Sequence, residues 1–127
     1  MTNLLYSKEH EWIQQLEGNK VRIGISAYAQ KQLGDIVFVE VPATDAHIEA
    51  DASVGTIESV KAVSEIYTPV SGVVVAVNDT LEDSPEIINE DPYTDGWLFE
   101  VEMTNAEELT SLFNKEAYEQ FIEEGEA

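Results

Sequence analysis

Cysteine is absent from the 127 residues of this chain, which removes disulfide frameworks, thiolate metal sites and cysteine nucleophiles together. Any sulfur redox chemistry must therefore come from an attached group. Cations are nearly as scarce: six Lys and Arg stand against 26 Asp and Glu, for a formal net charge of −20. A polyanion could release few counterions from such a surface and would be repelled by it, which argues against nucleic acid and, likewise, anionic membranes. The charge either steers association with proteins that present basic surfaces or reflects solubility or a salty cytoplasm. In both cases it costs stability through self-repulsion at low ionic strength. No apolar run approaches the ~20 residues of a membrane span. The first ten residues lack a basic n-region followed by an apolar h-region and lack the bias of a transit peptide. A cytoplasmic chain is the expectation, with a processed organellar one as the alternative. His10 and His47 are far apart and offer no metal-ligand spacing without Cys. No glycine-rich loop leads from a strand into a helix as a phosphate cradle requires.

What is present is 43% apolar residues, enough for one core, so a single domain over 1–127 is expected. Tyr6 to Leu16 reads as a strand, Gly18-Asn19 as a turn, and Val21, Ile23 and Ile25 alternate with Arg22 and Gly24 as a returning strand, which makes an N-terminal hairpin. Ser26 can cap a short helix near 27–33 that Gly34 ends. Further strands are expected at Ile36 to Val41, Ala52 to Ser59, Val63 to Thr68, Val73 to Val77 and Trp97 to Met103. Ser84-Pro85 predicts a helical turn from Pro85 to Glu90. Thr104-Asn105-Ala106-Glu107 has capping-box spacing before one C-terminal helix. Asn114 starts a second, with Gly125 past its end. The reading is mainly β: a flattened barrel or sandwich with a core over about 20–103 and helices over about 105–124. Trp12 and Trp97 are expected in or at the edge of the core, and Glu90-Asp91 as the shapers of a surface loop. The two strands flanking Lys61 and the pair around Asn78-Asp79 also suggest two quasi-equivalent halves, each closed by a turn.

Between Gln32 and Asn114 there are eighteen Asp and Glu and a single cation, Lys61. A generic solubilising charge would be as much at home at many neighbouring positions. A lone amine between two strand-like segments points instead to a lysine kept for its chemistry, on a hairpin tip where a modifying enzyme can reach it.

The segment Glu58-Ser59-Val60-Lys61-Ala62-Val63-Ser64, with Pro69-Val70-Ser71-Gly72 after it, resembles the lipoyl attachment segment of the glycine cleavage system H proteins. The likeness continues nearly end to end, through Tyr6-Ser7-Lys8-Glu9-His10-Glu11-Trp12, Val21 to Ile25, Ala29-Gln30, Leu33 to Glu40, Asn89-Glu90-Asp91-Pro92-Tyr93 and Gly96-Trp97-Leu98. The resemblance implies a lipoyl/biotinyl-type, hybrid-hammerhead-like fold and a monomeric carrier rather than an enzyme. It implies lipoic acid joined as an amide to Lys61. It also implies three partners: a glycine decarboxylase (P protein) that loads an aminomethyl group, a tetrahydrofolate-dependent aminomethyltransferase (T protein) that removes it, and a dihydrolipoyl dehydrogenase (L protein) that reoxidises the dithiol. In that family the loaded arm is expected to fold into a surface cleft. Biotin carriers resemble the fold too, but typically hold their lysine between two methionines, whereas Lys61 lies between Val60 and Ala62. Glu58 and Gly72 match positions used for recognition by the lipoate attachment enzymes. A solvated strand carboxylate and a glycine kept for a tight turn are their plainer readings. Where the family often carries glycine, this chain has Val41-Pro42-Ala43-Thr44-Asp45 and Glu49-Ala50-Asp51. An altered loop is expected there, since Asp tolerates positive φ better than Ala does. Two other roles stay open on sequence: a relay passing lipoyl groups to 2-oxoacid dehydrogenase acyltransferases, and an acidic β-domain whose Lys61 is never modified.

Overall fold

A computed structural model describes residues 4–125, which places Met1 to Asn3 and the last two residues of the expected domain outside the described part. The elements follow in the order β1 (Leu4–Tyr6), β2 (Glu11–Gln15), β3 (Lys20–Ile25), α1 (Ala27–Leu33), β4 (Ile36–Glu40), β5 (His47–Ile48), β6 (Ser53–Ser59), β7 (Val63–Tyr67), β8 (Gly72–Val77), α2 (Thr80–Asp83), α3 (Ile87–Glu90), β9 (Phe99–Met103), a 3-10 segment (Ala106–Ser111) and α4 (Lys115–Gly125). They form two antiparallel sheets, a six-stranded one in the order β1-β2-β3-β9-β8-β5 and a three-stranded one in the order β4-β6-β7. Neither sheet closes on itself, so the mainly β expectation resolves to a two-sheet arrangement rather than a barrel.

Period-2 alternation places Ile13, Val21, Ile23, Val74, Phe99 and Val101 of the large sheet and Val39, Ile57 and Ile66 of the small one in a single buried cluster. A second cluster joins Tyr6, Trp12 and Tyr118, with Phe113, Phe121 and Ile122 packed against it. It seats α4 on the β1–β2 end. Trp12 is fully buried and its indole N–H donates to the Pro92 carbonyl at 2.8 Å, while Trp97 is half-buried under the Arg22 guanidinium, 4.8 Å from the ring centre. Asp91 accepts from the Gly96 N–H, which shapes the loop that Glu90-Asp91 was expected to shape.

Several expectations are corrected. Tyr6 to Leu16 is two strands, not one: the His10 N–H donates to Ser7 O, His10 takes φ 71°, and β1 folds back on β2 with Tyr6 opposite Trp12. No glycine or proline announces that reversal. The helical turn at Pro85 to Glu90 is α3 alone, and α2 precedes it unannounced. The N-cap of the following segment is Asn105, whose side chain accepts from the Glu107 N–H, and the segment is 3-10 rather than α. There Glu108 reaches away to hold Ser71 through its N–H at 2.6 Å and its hydroxyl at 2.8 Å. α4 runs into Gly125 instead of stopping before it. The two halves are unequal: the three residues 60–62 join β6 to β7, whereas residues 78–98, carrying α2 and α3, separate the paired strands β8 and β9. Finally, the positive φ values in the loops that lack the family's glycines fall on Asp45 (74°) and Asp51 (73°), not on Ala50.

Candidate functional site

Lys61 stands where the sequence placed it, exposed on the tip of the β6–β7 hairpin. Tight hairpin turns usually need a residue at positive φ, yet none of Val60, Lys61 and Ala62 has it. Ser59 braces the turn instead. Its N–H donates to Ala62 O at 2.8 Å, and its hydroxyl oxygen accepts from the N–H groups of Lys61 (3.2 Å) and Ala62 (3.1 Å). From outside the hairpin, Asp35 O accepts from the Val60 N–H at 3.0 Å. The methylene stem of Lys61 crosses Gly34: a Cβ added there would lie 3.2 Å from Lys61 Cε, and Gly34 has φ 79° besides. The stem is steadied while the amine is left to solvent. Among the described residues no carboxylate pairs with that amine. An amine so presented can be acylated by an enzyme that meets only the tip.

Four of the five large apolar side chains exposed among the described residues surround it: Val60, Val63, Phe38 and Val37. The register runs Phe38, Glu58, Val63 across the three strands, and a bulge between Ile36 and Phe38 turns both Val37 and Phe38 outward. Glu58 is therefore a half-exposed carboxylate between two apolar side chains, three residues before the lysine. Gly72 is elsewhere. It lies buried in the large sheet between Ile48 and Met103, and a Cβ would meet the Glu102 carbonyl oxygen at 2.1 Å. Close strand packing, not a tight turn, is the local reason for glycine at that position.

Beside the hairpin lies a cleft of about 210 Å³. One wall is α1, through Tyr28, Ala29, Gln32 and Leu33; the other is Ile57 of β6 with Ser64, Glu65 and Ile66 of β7; the Glu9-His10-Glu11 turn closes one end. Glu11 is 3% exposed. Ser7 Oγ donates to one of its carboxyl oxygens at 2.7 Å and the Tyr67 N–H to the other at 3.2 Å. Burial pushes its carboxyl up to about 7, because desolvation outweighs those two donors. The same side chain borders a second pocket of about 360 Å³ that reaches Asp51, Thr68 and Glu108. His10 is held by Tyr118, its Nδ1 lying 2.7 Å from the phenol oxygen, which is also 2.8 Å from Ser26 Oγ. Burial raises the Tyr118 phenol to about 12, and Tyr6 stacks on it with centroids 4.4 Å apart. Sequence reasoning assigned no role to Glu11, because nothing along the chain separates one buried carboxyl from the solvated ones. His47 is exposed on β5. Among the described residues no three His, Asp or Glu side chains come together as metal ligands.

Residues 4–125 match the family model described as Glycine cleavage H-protein. The chain is 53% identical over 122 residues to the glycine cleavage system H protein of Oceanobacillus iheyensis, covering 96% of each. It is 50% identical over 124 residues to that of Coprothermobacter proteolyticus, covering 98% of each. Its structure superposes on the crystal structure of a glycine cleavage system H protein from Mycobacterium marinum with a TM-score of 0.86 at 36% identity, over 94% of this chain and 96% of that one.

Proposed function

Because the chain belongs to the glycine cleavage H-protein family, we propose that it is the lipoyl-carrying shuttle of a glycine cleavage system, with Lys61 as the attachment point. In this reading glycine decarboxylase loads it, the tetrahydrofolate-dependent aminomethyltransferase unloads it and dihydrolipoyl dehydrogenase restores it. A lipoyl amide on Lys61 supplies a dithiolane, which serves as both electron acceptor and group carrier. The observation that carries the reading is the exposed amine of Lys61, without a carboxylate partner among the described residues, on a braced turn beside a cleft.

The chain's own residues contribute position and shelter. Ser59, Asp35 and Gly34 hold the tip so that each partner meets Lys61 in one geometry. The cleft is the shelter for a loaded arm: Glu11 and Glu65 offer carboxyl groups to a cationic amine, while Ile25, Leu33 and Ile57 exclude water. Glu58 and Gly72 are the positions read by the attachment enzyme, Glu58 directly and Gly72 through the strand packing it permits. The apolar side chains around Lys61 and the acidic surface beyond them fit partners with basic rims.

Intact mass of the protein and of Lys61→Ala, each after incubation with lipoate, biotin, ATP and competent lipoate and biotin attachment enzymes, tests the attachment. A lipoyl increment on the parent alone is expected; an increment on both proteins rules Lys61 out as the site, and a biotin increment or no increment on the parent overturns the lipoyl reading. Glycine-dependent bicarbonate exchange with glycine decarboxylase then tests the shuttle. A fully lipoylated sample that supports no exchange would leave the relay reading in its place.

A further inference from the structure

The Lys61 hairpin is held from outside by the loop 34–36, and one side chain, Asn89 of α3, bonds to that loop at both ends. The Asn89 carboxamide spans the loop: Oδ1 accepts from the Ile36 N–H at 2.8 Å and Nδ2 donates to Gly34 O at 2.7 Å. Its orientation is set by its partners, since an N–H can only be met by the oxygen and a carbonyl only by the nitrogen. Between those two anchors stands Asp35, whose carbonyl takes the Val60 N–H, and Gly34, over which the Lys61 stem passes. Asn89 is itself fixed, because its neighbour Ile88 is fully buried in the main core. Four residues on, the Tyr93 hydroxyl accepts from the Ala27 N–H at 2.9 Å. The segment 89–93 thus grips α1, the wall of the cleft, at both ends.

From this chain of contacts we infer that Asn89 is a positioning residue for Lys61. Without touching the lysine, it fixes the height and direction of the hairpin tip that the partner enzymes must engage. Its amide is the only side-chain chemistry of its length that supplies one donor and one acceptor together: Asp lacks the donor and Leu lacks both. The inference rests on the reading of Lys61 as the attachment point, so two separate measurements are needed.

The first is native-state amide hydrogen exchange on the full chain, read at Val60 against Val101 in the β3–β9 ladder. In Asn89→Ala, Val60 is expected to exchange about thirtyfold faster relative to Val101, the change that follows loss of two hydrogen bonds of ordinary net strength. Asn89→Asp, which keeps the acceptor for Ile36, should lie between. Equal acceleration of Val60 and Val101 in both variants means global loss only and overturns the inference. The second is the kinetics of lipoyl attachment. Asn89→Ala should raise KM for the protein substrate severalfold with kcat little changed, because part of the population presents the tip wrongly; an unchanged KM beside faster Val60 exchange overturns the positioning role. If the parent takes no lipoyl group at all, the reading of Lys61 fails, and the exchange ratio alone decides the clamp.

Discussion

Glu11 is almost wholly buried, and its two carboxyl oxygens have one donor each, Ser7 Oγ and the Tyr67 N–H. Those donors favour the charged form, but burial disfavours it more, and the group is raised from 4.5 to about 7. Between those two pH values the folded chain holds a proton that the unfolded chain has released. The stabilising contribution is therefore complete below about 4.5 and is lost as pH rises through about 7. Glu11→Gln cannot ionise, so its stability relative to the parent should rise across that window by on the order of 3 kcal/mol. Denaturant melts of both proteins at a series of pH values measure it, and a constant difference between them would contradict the raised value. The Gln amide oxygen can keep the Tyr67 N–H while its NH2 donates to the Ser7 hydroxyl, which is able to accept, so both contacts have a counterpart in the variant. Lys61 and Glu11 differ in legibility for a plain reason. An isolated cation among eighteen acids shows in one dimension, whereas an acid buried by residues 56 positions away does not.

At the scale of elements, two caps make the same bond in different surroundings. Ser26 Oγ accepts from the Ala29 N–H at the start of α1, is fully buried, and also meets the Tyr118 hydroxyl. Asn114 Oδ1 accepts from the Ala117 N–H at the start of α4 and is exposed. Ser26→Ala should cost about 2 kcal/mol and Asn114→Ala about 0.5–1, since water can replace only the exposed cap. Midpoints of urea unfolding at constant slope would show the difference, and equal costs would mean that the Tyr118 contact adds nothing. Both caps were legible, as was the glycine stop at Gly34, because capping is a matter of three or four residues. The break between β1 and β2 was not. Its reversal depends on His10 tolerating φ 71° with its ring held by Tyr118, 108 residues away.

The whole molecule carries a net charge of −20, and few of its carboxylates can find a cation. Arg22 and Glu100, 2.7 Å apart, are one pair that does. Self-repulsion should make stability rise with salt, mostly between about 0.01 and 0.15 M, where the screening length falls from about 30 to about 8 Å. Thermal melts in sodium chloride check this; a melting temperature indifferent to salt would show that the charges lie too far apart to matter. The same field bears on partners, whose association rates should fall as salt is added.

Composition, alternation and turn chemistry were enough for a mainly β chain with a lysine on a hairpin tip, because strand faces, caps and turns are decided by residues within a few positions of one another. Pairing was beyond them. That β3 lies beside β9, that the β8 and β9 strands meet across residues 78–98, and that β5 adds an edge are choices among partners, settled by which faces can be buried together. The cleft exists only because residues 9–11, α1 and β7 meet in space. The clamp on the Lys61 loop exists only because Asn89 reaches Gly34 and Ile36, 55 and 53 residues away. The sequence by itself determined which amine is presented; the tertiary structure decided what holds it and which cleft lies beside its hairpin, since both are made of contacts between distant segments.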